Sequence, residues 1–142
     1  MKSRLKSLAT LTCLAISSPL FAEEPVPDCG LYTYRATIVR VIDGDTIVAD
    51  IDLGFRTWLH GEHLRLFGIN TPENKTDEGK AVTEAVRARI EGKSVFLCTI
   101  KAKRSEAEST GSFGRYLVTI HEGGENVNEW LLATGQAEAF MD

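Results

Sequence analysis

The sequence predicts an α+β fold, mainly β: a five-stranded antiparallel barrel with one long inserted helix and one short helix. Three observations carry the prediction. Five runs rich in β-branched and aromatic residues are separated by Gly, Pro, Asn and Asp. Only the stretch 77–91 holds apolar residues at helical spacing over several turns. The chain after its first 22 residues is long enough for one hydrophobic core and too short for two.

The first 22 residues read as a leader. Lys2, Arg4 and Lys6 precede an apolar run from Leu8 to Phe21 that ends in Ala22, the layout of a secretory signal peptide cleaved after Ala22. The run is short for a membrane span and is interrupted by Ser17, Ser18 and Pro19, so no stable membrane association is expected after cleavage. Thr10-Leu11-Thr12 before Cys13 is a poor match to a lipidation signal. The expected location is secreted or periplasmic, in a bacterium. Residues 23–31, with Pro25 and Pro27, form a linker, and the domain occupies 32–142.

Tyr32 to Ile42 is aromatic and β-branched with partial alternation and predicts the first strand. Asp43-Gly44 is a hairpin signal, and Asp45 to Ile51 resumes the β pattern. A loop around Gly54 and Gly61 leads to a third strand over His63 to Ile69, in which Leu64 and Leu66 share one face and Arg65 points to the other. Asn70-Thr71-Pro72-Glu73 ends it, and the long helix runs from Asp77 to Glu91, closed by Gly92. Ser94 to Ile100 is the fourth strand and Phe113 to His121 the fifth; a short helix around Trp130-Leu131-Leu132 stops at Gly135. Five strands with a helix inserted after the third suggest a barrel of the OB type, closed at one end by a helix.

Charge limits what such a barrel can do. Removing Lys2, Arg4 and Lys6 from 16 Lys and Arg leaves 13 against 20 Asp and Glu, a net charge of about −7. Such a surface does not attract nucleic acid globally, and any phosphodiester chemistry needs the field reversed locally by arginines and a bound cation. Cys29 and Cys98, 69 positions apart, can close a disulfide in an oxidising compartment; the alternative reading of Cys98 is a buried small hydrophobe in its strand.

Three polar clusters carry chemistry: Asp43-Gly44-Asp45-Thr46, Arg65 with Asn70-Thr71-Pro72-Glu73, and Gly114-Arg115. Asp43 is chiefly a turn residue. Asp45 adds a second carboxylate at the mouth of the hairpin, a repulsive arrangement unless something cationic sits there. Two arginines offer paired donors matched to phosphate oxygens, and a carboxylate such as Glu73 can orient or deprotonate a water.

In their order these segments resemble the staphylococcal nuclease (thermonuclease-like) family across Tyr32 to Ala139. The matching stretches are Val41-Ile42-Asp43-Gly44-Asp45-Thr46, Arg65-Leu66-Phe67-Gly68-Ile69-Asn70-Thr71-Pro72-Glu73, Phe113-Gly114-Arg115 and Val127-Asn128-Glu129. The resemblance implies an OB barrel and a secreted, monomeric, calcium-dependent nuclease acting on DNA or RNA. It implies a Ca2+ site of Asp45, Asn70 and the Thr71 carbonyl, with Arg65 and Arg115 gripping the phosphate and Glu73 positioning or deprotonating the attacking water. Phe113 would contact the substrate beside Arg115.

Asn70 stands where the best-known member of that family carries aspartate, which removes one negative ligand and predicts a weaker calcium site. Ser112 and Phe113 replace a lysine-tyrosine pair, predicting lower substrate affinity. The stop at Asp142 leaves the family's terminal helix and some nucleotide-stacking tyrosines unaccounted for. Trp58, in the loop before the third strand, is a structural residue or a base-stacking one. Three other readings compete. A haloacid-dehalogenase-like phosphatase would use Asp43 as nucleophile but needs a larger doubly wound domain. A zinc site on His60 and His63 lacks further ligands, which makes these surface loop histidines. A catalytically inert OB module that binds nucleic acid or calcium is the main alternative, and Asn70 is the residue that favours it.

Overall fold

The alternating run of the first strand becomes β1 (Thr33–Asp43), which turns through Gly44 and Asp45 into β2 (Thr46–Asp52). The computed structural model describes residues 23–141; the leader over 1–22, with Cys13, and Asp142 lie outside the described residues. β3 (Trp58–Leu66) begins at Trp58 and not at His63, so Trp58, His60 and His63 are strand residues and not loop residues. The first four residues of β3, 58–61, are all exposed, and the hydrophobic alternation that marks a strand is therefore missing there.

β4 (Ile69–Asn70) pairs with β8 (Glu138–Ala139). Between β4 and β5 (Ser94–Thr99) lies α1 (Asp77–Ile90), started by Thr76, whose hydroxyl accepts the Gly79 N–H at 2.9 Å. The expected fifth strand starts later than its sequence suggests. Ser112–Gly114 is a 3-10 turn in which Phe113 and Gly114 both take positive φ, and β6 (Tyr116–Glu122) follows Arg115. β7 (Glu125–Asn126) and α2 (Val127–Ala133) complete the chain before β8.

The barrel runs β3-β2-β1-β5-β6 and closes where β6 returns to β3. Four seams are antiparallel as expected, but the closing one, Leu64–Leu66 against Tyr116–Val118, is parallel, making a mixed OB-type barrel. The two closing strands are far apart in sequence, with α1 and β5 between them, so no hairpin turn dictates their direction.

Ile38, Ile47, Leu64, Leu66, Leu97 and Ile120 fill the interior, with Val82, Val86 and Ile90 of α1 and Leu131 of α2 packed on them. Asn128 locks α2 to the barrel: its Oδ1 accepts the Ile120 N–H, and its amide donates to the carbonyls of Phe67 and Val118. An unpaired buried amide would cost about 1–3 kcal/mol, which explains why this helix needs an Asn that is fully bonded. Residues 23–31, expected as a linker, lie along the barrel wall: Cys29 is disulfide-bonded to Cys98, with Cα atoms 5.7 Å apart, and Leu31 donates to the Thr99 carbonyl.

Candidate active site

The β1–β2 turn, the end of β3 and the turn before β6 converge on one polar cleft of about 310 Å³. Asp45, Arg65, Asn70, Thr71, Glu73, Phe113 and Arg115 all line it, so the structure brings together every residue expected to act on phosphate, metal or water. Asp43, Thr46, Ser112 and Phe140 complete the lining. A larger, more apolar hollow lies beside it and shares Phe140; it lacks the carboxylates and arginines that chemistry on a phosphodiester needs, so the smaller cleft is the candidate site.

Asp45 is 6% exposed and its carboxylate is fully partnered. Oδ2 accepts the Thr71 N–H at 2.9 Å, and Oδ1 accepts the Thr46 hydroxyl at 3.1 Å and is ion-paired with Arg65 Nη1. Arg65 reaches further, donating through Nη2 to Asn70 Oδ1 and to the Ile69 carbonyl, both at 3.1 Å. These bonds fix the guanidinium across the end of β3, where the alternation of Leu64, Arg65 and Leu66 had turned it out of the core.

Gly44 lets two segments approach. A Cβ there would lie 2.7 Å from Thr71 Oγ1 and 2.8 Å from Val82 Cγ1, so the turn carrying Asp45 seats directly on the segment carrying Asn70 and Thr71. Gly79 does the same for Glu73, whose carbonyl would be 2.0 Å from an added Cβ and instead accepts the N–H and hydroxyl of Thr76. Glu73's own side chain stands in solvent, with Lys75 Nζ 3.6 Å away.

Arg115 is held differently. Its Nε donates to the Ser112 carbonyl at 3.2 Å and its Nη1 to Thr46 Oγ1 at 3.1 Å, while its guanidinium carbon lies 5.7 Å from the centre of the exposed Phe113 ring. The left-handed backbone of Phe113 is strained for a residue with a side chain, and it is this turn that gives Arg115 its Ser112 anchor.

Sequence reasoning missed two contributors. Asp43, read chiefly as a turn residue, does bond the Gly44 N–H at 2.7 Å, but its carboxyl also lines the cleft. Burial pushes its pKa up and repulsion from Asp45 adds to this, against the pull of the Gly44 N–H and Arg65. The doubled carboxylate in Asp43-Gly44-Asp45 was the available signal. Thr46, which bridges Asp45 and Arg115 through its hydroxyl, left no signal beyond its place beside Asp45. Trp58 stays outside the cleft, at the other end of β3 from Arg65 and stacked on His60 at 6.1 Å. His60 pairs with Asp50 at 3.0 Å, and among the described residues neither it nor His63 joins a metal-ligating group.

Comparison with known proteins meets this geometry. A thermonuclease of Staphylococcus hyicus is 31% identical over 75% of this chain and 59% of its own length. The chain resembles the thermonucleases. An uncharacterized endonuclease of Escherichia coli O157:H7 is 32% identical over 72% of the chain and 59% of its own length. Protein ParB of Escherichia coli is 26% identical over 96% of the chain and 68% of its length. The chain thus spans about three fifths of the length of the endonuclease and the thermonuclease. No family model matches it. The thermonuclease likeness agrees with the mixed barrel and its two helices.

Proposed function

We propose that this chain is a secreted, calcium-dependent nuclease that hydrolyses phosphodiester bonds of DNA or RNA, acting as a monomer in the medium or the periplasm. One observation carries the reading: two guanidinium groups, a buried carboxylate and an exposed carboxylate face one cleft of a protein whose overall charge is acidic. The likeness to a thermonuclease and an endonuclease supports it.

The residues present fit a hard cation. Asp45, Asn70 and the Thr71 carbonyl offer only oxygen, which suits Ca2+. Thr71 Oγ1 is buried with no hydrogen-bond partner, and the raised Asp43 carboxyl would be relieved by a nearby positive charge. When bound, the ion would supply positive charge for the developing phosphorane. Arg65 and Arg115 bind and orient the phosphate, their paired N–H donors matched to its oxygens, and they stabilise the extra negative charge as the water attacks. Glu73, free to reach solvent, holds the attacking water in line or takes its proton through a carboxylate oxygen. Phe113 presents its ring beside Arg115 as a face for the substrate. Asn70 contributes an amide oxygen without charge, so the ion is held more weakly than an aspartate would hold it.

The test incubates the purified chain with single-stranded DNA and RNA, in calcium or chelator, beside the Glu73→Ala variant. Calcium-dependent cleavage that disappears in the variant supports the reading. Binding without cleavage at any calcium concentration makes the protein the inert OB module instead.

A further inference from the structure

A second group of metal-ligating side chains lies on the outer wall of the barrel, remote from the cleft. Leu97 points into the core, so Phe96 and Cys98 on either side of it face outward. The segment 23–31 crosses that face. Glu23 pairs with Arg35 at 3.5 Å, Glu24 accepts the Gly124 N–H at 3.0 Å, and Gly30 sits so close to the Thr99 carbonyl that a Cβ would lie 2.0 Å from its oxygen. Cys29 meets Cys98 under this strap. β6 adds the third member: Cys98 pairs with Thr119 and Phe96 with His121, which puts Cys98, Thr119 and His121 on one face. The donor atoms of Cys29, Cys98 and His121 all lie within 4.8 Å of one another.

We propose that this junction has a second chemical state: with the disulfide opened to two thiols, Cys29, Cys98 and His121 bind one Zn2+ ion and hold the strap in place of the S–S bond. A thiol or phosphine reductant supplies the two electrons that break the S–S bond, and two protons from water complete the thiols. Binding then forms two sulfur–metal bonds and one nitrogen–metal bond and releases both protons. The geometry is within reach. Tetrahedral zinc with sulfur at about 2.3 Å and nitrogen at about 2.0–2.1 Å sets donor atoms roughly 3.5–3.8 Å apart. Once the S–S bond is open, side-chain rotation at a Cα separation of 5.7 Å moves the two sulfurs apart to that spacing, with the three donors already within 4.8 Å of one another.

The donor set decides which ion. Two thiolates and an imidazole select zinc or a softer ion, whereas the oxygen-only cleft selects a hard one, so the two sites do not compete for metal. Thr119 Oγ1, 3.4 Å from His121 Nε2, is placed to fix the ring once one nitrogen is taken by the ion. With three protein ligands, the fourth position is left to water.

The probe is Co2+, whose thiolate complexes absorb strongly where the free ion does not. The chain is reduced with a phosphine, freed of reductant without air, and titrated with Co2+, with Zn2+ then added as competitor. The expected result is a thiolate-to-cobalt band saturating at one equivalent, bleached by Zn2+, and absent from the oxidised chain. His121→Asn should weaken binding at least tenfold and Cys29→Ser should abolish the one-equivalent band, with the far-UV circular dichroism of each variant unchanged. Cys29 sits in the strap and not in the barrel, so its variant keeps the test usable if Cys98→Ser does not fold. No band from the reduced chain, or the same affinity with and without His121, overturns the proposal.

Discussion

The cleft lining divides by exposure: Asp45 and Arg65 make a buried wall, almost wholly enclosed, whereas Glu73 and Phe113 make an exposed one that stands in solvent. The difference follows from what each wall is proposed to do. A carboxylate taken out of water is costly unless it is paired and hydrogen-bonded, so Asp45 needs Arg65, Thr46 and the Thr71 N–H merely for the fold to survive. In return its position is fixed, as a ligand for a cation requires. Glu73 is tied into the fold through its backbone carbonyl, at the Thr76 cap, while its exposed carboxylate has only the solvent-exposed Lys75 Nζ beside it, at 3.6 Å, and is open to water. Function and stability are therefore tied together on the first wall and separable on the second.

The largest effect expected is for Arg65→Ala. It leaves Asp45 charged and unpaired in a buried position, which costs on the order of 3 kcal/mol of stability, and it removes a phosphate donor, which lowers cleavage about 10³-fold. Urea unfolding read beside cleavage rates checks both, and an unchanged unfolding midpoint would break the contrast between the walls. Glu73→Gln should lower cleavage by roughly 10²–10⁴-fold while stability moves by less than about 0.5 kcal/mol; a clear loss of stability would show the exposed wall to be structural too.

Gly44→Ala sharpens the comparison from the backbone side. The added methyl would press on Thr71 and Val82, costing roughly 1–3 kcal/mol and displacing Asn70 and Thr71 from Asp45. Thermal unfolding and calcium titration of the variant measure the two consequences together. The smallest effect is expected for Asp43→Asn. The folded state raises the Asp43 pKa, so it binds that proton more tightly than the unfolded chain, and stability is lost as pH rises through the folded value. Without calcium, the variant should therefore be more stable than wild type at pH 7, with the difference shrinking as pH falls toward about 3.9. Melting curves across that range check the sign, and a gap that widens on acidification would reverse it.

How much of this was legible depends on the range of the interaction. The β1–β2 turn and the outward direction of Arg65 were readable because Asp43-Gly44 and the Leu64-Arg65-Leu66 alternation are local signals. The early start of β3 at Trp58 was hidden because a strand wetted on both faces shows no apolar period. The left-handed turn at Phe113 was read as strand because an aromatic residue is normally at home in one. The parallel β3–β6 seam, the packing of Gly44 on Thr71 and the 5.7 Å approach of Cys29 to Cys98 are contacts between distant segments, which spacing along the chain does not encode.

The proposed roles of the two walls meet in one measurement, calorimetric titration of the metal-free chain with Ca2+, for the wild type and for Asp45→Asn and Asn70→Asp. If the buried wall holds the ion, wild type binds one equivalent, Asn70→Asp binds it more tightly, and Asp45→Asn loses it while keeping its circular dichroism. Equal calcium affinity in all three proteins would contradict the assignment.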